Sequence, residues 1–325
     1  MLRLFKYNSL GQILIILLTA AALWSKAFVD PIAPQASQCF APLYDLVYGW
    51  LSGSPRLDTA LALLLVLVEG VWLNVLLYNH KVVASNSFLP TYLYLLAMSW
   101  NPSTMTLTPI LFVNLAVLLA CNQLLTHGST TLEVENNFNA SFCIGLAALF
   151  YLPALSHIVP LLLVFVYYKL YRWRHIAISF FGLIAPLIIL FTYAFLDDKL
   201  SYWLILIGFD LVNVHIRWDF TSVPNTILGL ALILLLLVSL MSQIGSRDKV
   251  TAQRINTGVM ALPLVAVVIM SLYGKLIPID TQMMAIPFGT LATAFILIDR
   301  KRKWINETII WLLILCTALS VWIAN

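Results

Sequence analysis

Eleven windows of this chain are runs of apolar residues with almost no charge, and that repetition restricts the fold more than any motif does. They lie near 10–28, 57–79, 86–100, 106–124, 140–152, 154–171, 175–196, 224–243, 257–273, 283–299 and 306–323. About 20 apolar residues cross a bilayer as a helix, so the windows predict an all-α, polytopic transmembrane bundle of about eleven spans. Several windows fall short of that length, and 140–152 is the shortest. A soluble domain carries about 25% charged residues, whereas this chain is 10% charged and 62% hydrophobic, which excludes an ordinary soluble enzyme. The first window follows a basic start (Arg3, Lys6), yet Trp24-Ser25-Lys26 has no small-residue cleavage signature, so it reads as a retained span.

Charge gives the expected orientation. With the N-terminus in the cytoplasm and eleven spans, thirteen of the 18 Lys and Arg lie inside, leaving Lys26, Arg56, Lys199, Arg217 and Lys275 outside. That is a positive-inside pattern. The segment 201–223 carries Asp210, His215, Arg217 and Asp219 and is read as interfacial or re-entrant. If it crossed, the basic clusters 247–254 and 300–303 would change sides. The predicted orientation is therefore N-terminus in and C-terminus out. The net charge of +4 fits this loop bias rather than a nucleic-acid footprint. Residues 1–200 read as a seven-span module with an outer loop at 26–56. Residues 201–325 read as the interfacial segment and four further spans, with no soluble domain. The polar stretch Asn122 to Asn139 reads as an inner connector.

In the first outer loop, Phe40, Leu43, Tyr44, Val47, Tyr48 and Leu51 recur at spacings of three and four, an apolar stripe with Trp50 at its edge. This predicts an amphipathic helix at 40–51 lying in the headgroup plane, either as a cradle for a lipid-linked ligand or as an ordinary packing helix. Asp30 follows the first span directly, and Pro31 pushes it out of helical geometry. Its carboxylate is then placed at the outer boundary, where a general base could activate an acceptor hydroxyl or where Asp-Pro starts a turn. Asp45, on the 40–51 helix, is the reserve candidate. Arg56 and Arg217, with His215 nearby, are candidate phosphate contacts, since guanidinium pairs bidentately with phosphate. Within the apolar windows, Glu69 and His157 are ionisable and hence candidates by their placement. Glu69 is either hydrogen-bonded between helices or faces a polar cavity, and the two are potential partners.

The scattered cysteines (Cys39, Cys121, Cys143, Cys316) form neither a disulfide framework nor a CxxC site. No Walker A, GxGxxG, GxSxG or HExxH motif is present, so no NAD site is expected. The histidines 80, 127, 157, 175 and 215 are dispersed, which argues against haem or non-haem iron.

The stretch GLAALFYLPALSHIVPLLLVFVYYKLYRWRHIAISFFGLIAPLI, beginning at Gly145, joins a short span, a proline-broken span and a basic turn to the next span. It resembles the corresponding region of type C glycosyltransferases, which use polyprenyl-phosphosugar donors. The resemblance covers roughly residues 1–200 and is one of layout and hydropathy. In that family a long outer loop after the first span carries a catalytic acid and interfacial helices, which implies Asp30 as the base. Where the family often has an acidic pair, this chain has Asp30 beside Pro31, with Asp45 far behind. The resemblance leaves divalent-metal use open and implies a polyprenyl-linked sugar as ligand. From MLRLFK through YRWRHIAISFFGLIAP the chain also resembles a family of polytopic inner-membrane proteins of Bacteroidota, sometimes labelled a beta-carotene monooxygenase. Such an enzyme would need an iron-binding histidine set, which these scattered histidines do not make. The expectation is a membrane-embedded glycosyltransferase-like protein acting at the outer face. The alternatives are a non-catalytic lipid or glycan transporter, an envelope-assembly scaffold, or a polymerase of lipid-linked glycans.

Overall fold

The computed structural model describes residues 10–32, 41–51, 53–83, 87–126, 133–167, 173–198, 201, 203, 257–261, 263–272, 280–298 and 303–323. Among them every regular element is helical and no strand occurs. In chain order the α-helices are α1 (Leu10–Val29), α2 (Pro42–Leu51), α3 (Pro55–Asn79), α4 (Leu89–Met98), α5 (Pro109–Leu125), α6 (Glu133–Phe150), α7 (Ile158–Tyr167), α8 (Trp173–Leu196), α9 (Pro263–Leu272), α10 (Ala285–Ile298) and α11 (Lys303–Ile323). Among the described residues, three stretches are long and apolar enough to cross a membrane: Gly11–Val29, Pro55–Asn79 and Trp173–Leu196.

Both faces of these long helices are apolar. On α1, Ile16, Ala20, Leu23 and Trp24 are buried, while Leu14, Leu17 and Leu18 are exposed. On α3, Ala62, Val66, Leu73 and Leu77 point inward and Leu64, Val68, Trp72 and Val75 outward. A helix facing water would carry polar residues on that outer side, so the pattern fits a membrane protein. Helix α3 starts where the Ser54 hydroxyl accepts the Leu57 N–H and Pro55 fixes the first turn. It stops at Lys81, whose φ of 55° lets the Val82 N–H return to the Leu77 carbonyl.

The expected windows 86–100, 154–171 and 283–299 form shorter helices than predicted. Helices α4 and α7 have 10 residues each and α10 has 14. Ten helical residues rise about 15 Å, half the hydrocarbon thickness. Two of the breaks carry prolines, Pro102 in the 3-10 turn Pro102–Thr104 and Pro153 in Leu152–His157, and a third 3-10 turn, Asp280–Met284, precedes α10. The connector expected at 122–139 is also largely helical, because α5 runs on to Leu125 and α6 begins at Glu133. The Asn136 amide donates to the Thr126 hydroxyl at 2.9 Å, and the Asn137 amide meets His175 Nδ1 at 3.0 Å. Asn137 thus binds the first turn of α8, and Asn136 closes on the end of α5.

Helix α4 is buried along its whole length, and so is most of the segment 99–108 that follows it. Non-helical backbone inside a membrane bundle needs partners for its polar groups. Here separate elements supply them. Trp24 Nε1 of α1 donates to Ser99 Oγ at 2.9 Å, and Ser320 of α11 donates to the Trp100 carbonyl at 2.6 Å. Tyr44 of α2 donates to the Leu107 carbonyl at 2.8 Å, and the Gln282 amide donates to the Thr104 carbonyl at 3.2 Å. The segment 99–108 is the point on which α1, α2, α11 and the turn before α10 converge.

Candidate functional site

Two regions gather the polar groups that could carry function. The first is the end of the bundle where α1 finishes and α3 begins. Asp30 sits one residue past α1, exposed, its N–H still bonded to the Lys26 carbonyl at 2.9 Å. Helix α2 forms over Pro42–Leu51, within the span expected for the amphipathic helix. It docks by Tyr44, which is 2% exposed, stacks on Tyr48 with centroids 5.8 Å apart, and leans on Phe112 at 6.4 Å. Burial, followed by the nearby Tyr48, Asp45 and Asp58, raises the Tyr44 phenol, so it keeps the proton it donates to Leu107. Leu46 and Trp50 project from the other side, Trp50 at 86% exposure. Asp45 is exposed on α2, and desolvation beside the bundle raises its carboxyl from the ordinary value. Arg56 is exposed in the first turn of α3. His215 and Arg217 lie outside the described residues.

The second region is the buried polar core. Glu69 is fully buried, and its Oε2 accepts the Tyr94 hydroxyl at 2.6 Å. The Asn114 amide donates to Tyr94 Oη at 3.2 Å and to the Gln282 carbonyl at 3.3 Å. Gln282 is tied to the broken segment through Thr108, whose hydroxyl donates to Oε1 at 3.1 Å. Among the described residues, Glu69 Oε1 has no hydrogen-bond partner.

His157 does not pair with Glu69. It ends the Leu152–His157 turn, where Nδ1 donates to the Ala154 carbonyl at 3.0 Å. Pro153 and Pro160 bracket that turn and set the ring against α5, α6 and α7 instead of α3. There it lines a small apolar cavity of about 20 Å³ with Cys121, Leu124, Ile144 and Val164. Among the described residues, no three His, Cys, Asp or Glu side chains converge as a bound metal would require.

Sequence reasoning singled out Glu69 but missed Tyr94, Asn114 and Gln282. One signal was available: Asn114 is an amide flanked by apolar residues inside α5, where an unpaired polar group is costly. No family model, no curated protein and no solved structure matches the chain.

Proposed function

We propose that the chain is a multi-pass inner-membrane protein of about eleven spans, with a type C glycosyltransferase-like arrangement and its N-terminus in the cytoplasm. In this reading it transfers a sugar from a polyprenyl-linked donor at the outer face. The observation that carries the reading is helix α2. It is an amphipathic helix latched to the bundle by Tyr44, with Leu46 and Trp50 turned outward, at the end where Asp30 and Arg56 are exposed. A helix of this kind suits the headgroup layer, where a lipid phosphate lies. Asp30 would accept the proton of the acceptor hydroxyl as its oxygen bonds the anomeric carbon. The bond from that carbon to the phosphate oxygen would break, leaving polyprenyl phosphate or pyrophosphate. Arg56 or Arg217 would pair with that phosphate.

A photoactivatable polyprenyl phosphate in proteoliposomes tests the binding half of this reading. The expected result is label on peptides covering residues 42–56, reduced at least several-fold by excess unmodified polyprenyl phosphate. Label spread evenly over the outward faces of α8 and α11, unaffected by competitor, would show passive lipid contact and overturn it.

The alternative, a transporter or assembly scaffold without catalysis, is favoured by one observation: the polar core at Glu69 is fully buried between helices, whereas Asp30 is exposed.

A further inference from the structure

An ionised carboxylate buried away from water needs a countercharge or a full set of donors. Among the described residues, Glu69 has neither. Its Oε2 takes the Tyr94 hydroxyl, its Oε1 takes nothing, and the side chain is 0% exposed.

Of the described helices α1, α4, α5 and α10, which pack against α3, only α1 carries a base, Lys26. The sequences of α4, α5 and α10 contain no Lys, Arg or His; their titratable groups are Tyr92, Tyr94 and Cys121. The turn Asp280–Met284 adds an acidic residue, not a basic one. On α1, Lys26 gives its Nζ to the Val321 carbonyl at 3.1 Å. On α3 itself, Asp58 and Arg56 stand eleven and thirteen residues before Glu69, about 16 and 20 Å along the axis.

We infer that Glu69 is a proton-binding site inside the membrane, where a proton on Oε1 takes the place of the missing countercharge. Tyr94 is the positioning residue: its hydroxyl occupies Oε2 and leaves Oε1 as the open atom. The occupant's state reaches further than one side chain, since Tyr94 Oη also accepts the Asn114 amide, which holds the Gln282 carbonyl. This inference is independent of the sugar-transfer reading, and neither failing would touch the other.

The sequence makes the test clean, because it holds only four glutamates: Glu69, Glu133, Glu135 and Glu307. The full chain, labelled with carboxyl-¹³C glutamate and reconstituted in liposomes, is measured by infrared difference spectroscopy at pH 7 in choline chloride and in sodium chloride. The expected result in choline chloride is one protonated-carboxyl band, absent from Glu69→Gln and shifted in Tyr94→Phe through loss of the 2.6 Å donor. The band persisting in sodium chloride identifies the proton as occupant. Its replacement by a carboxylate band in sodium chloride would put a metal ion in the proton's place and overturn the inference. Should Glu69→Gln fail to fold, the wild-type spectra decide alone. Four ionised glutamates in both salts would overturn the inference.

Discussion

Gly145→Val is expected to unfold this protein well below the wild-type temperature. A Cβ at Gly145 would collide with the Leu183 carbonyl oxygen and come within 2.7 Å of Pro186 Cγ. The facing residue repeats the problem, since a Cβ at Gly182 would stand 2.6 Å from the Phe138 carbonyl oxygen. Helices α6 and α8 therefore touch backbone to backbone at both glycines, the way small residues bring helices together in lipid. Neither obstacle is a flexible side-chain end, so the helices must separate. Overpacking costs about 1–3 kcal/mol and occasionally more, and the upper end applies because the contact is with main chain. Thermal unfolding in detergent is the measurement. Gly182→Val should behave alike, and the double variant should lose less than the sum, because the first substitution already parts the helices. Gly258→Ala is the control: a Cβ there meets nothing within 4 Å. Near-wild-type unfolding of Gly145→Val would mean that α6 and α8 do not cross this closely.

Gln282→Leu is the second large loss. Leucine is close in size, so the loss lies in hydrogen bonds. Gln282 accepts from Thr108 and donates to the Thr104 carbonyl, and it is 2% exposed. Removing its amide strands both groups away from water, at about 1–3 kcal/mol for each unsatisfied group. Hydrogen bonds between membrane helices often measure less, so about 2 kcal/mol in total is expected. A double-mutant cycle separates this from lost packing. With Thr108→Val already in place the stranded hydroxyl is gone, and Gln282→Leu should then cost less by about 0.5 kcal/mol or more. Strict additivity would show that the Thr108–Gln282 bond contributes nothing.

These two sites differ in how far the sequence announced them. The apolar windows make α1, α3 and α8 plain, because lipid and core both select apolar residues and leave helices of spanning length. Helix α2 was legible because its stripe is local, with apolar residues three and four apart. The segment 99–108 was not. Hydropathy averaging reads 86–100 and 106–124 as two simple spans, and nothing near Thr108 announces that its partner lies 174 residues away. Polar groups paired across such separations leave no periodic trace. The pairing supposed for Glu69 and His157 failed for a related reason. Ionisable residues in apolar windows stand out together in a sequence, while a tyrosine such as Tyr94 passes as an apolar residue until its hydroxyl finds a carboxylate.

At the end of the bundle that carries α2, the structure shows exposure alone. Asp30 is exposed one residue past α1, and Arg56 is exposed in the first turn of α3. The exposed face of α2 gives that end a surface suited to lipid headgroups. What turns this surface into a site is the chemistry proposed for Asp30, and that claim admits a direct measurement. The wild-type protein and Asp30→Asn are reconstituted separately with lipid-linked sugars extracted from the native membrane, and release of the sugar from its polyprenyl carrier is followed. A positioned general base contributes about 10²–10⁴-fold. The account predicts donor consumption by the wild type and at least a hundredfold slower consumption by Asp30→Asn, with the variant unfolding at the same temperature. Equal consumption by the two proteins, or none by the wild type, would contradict it.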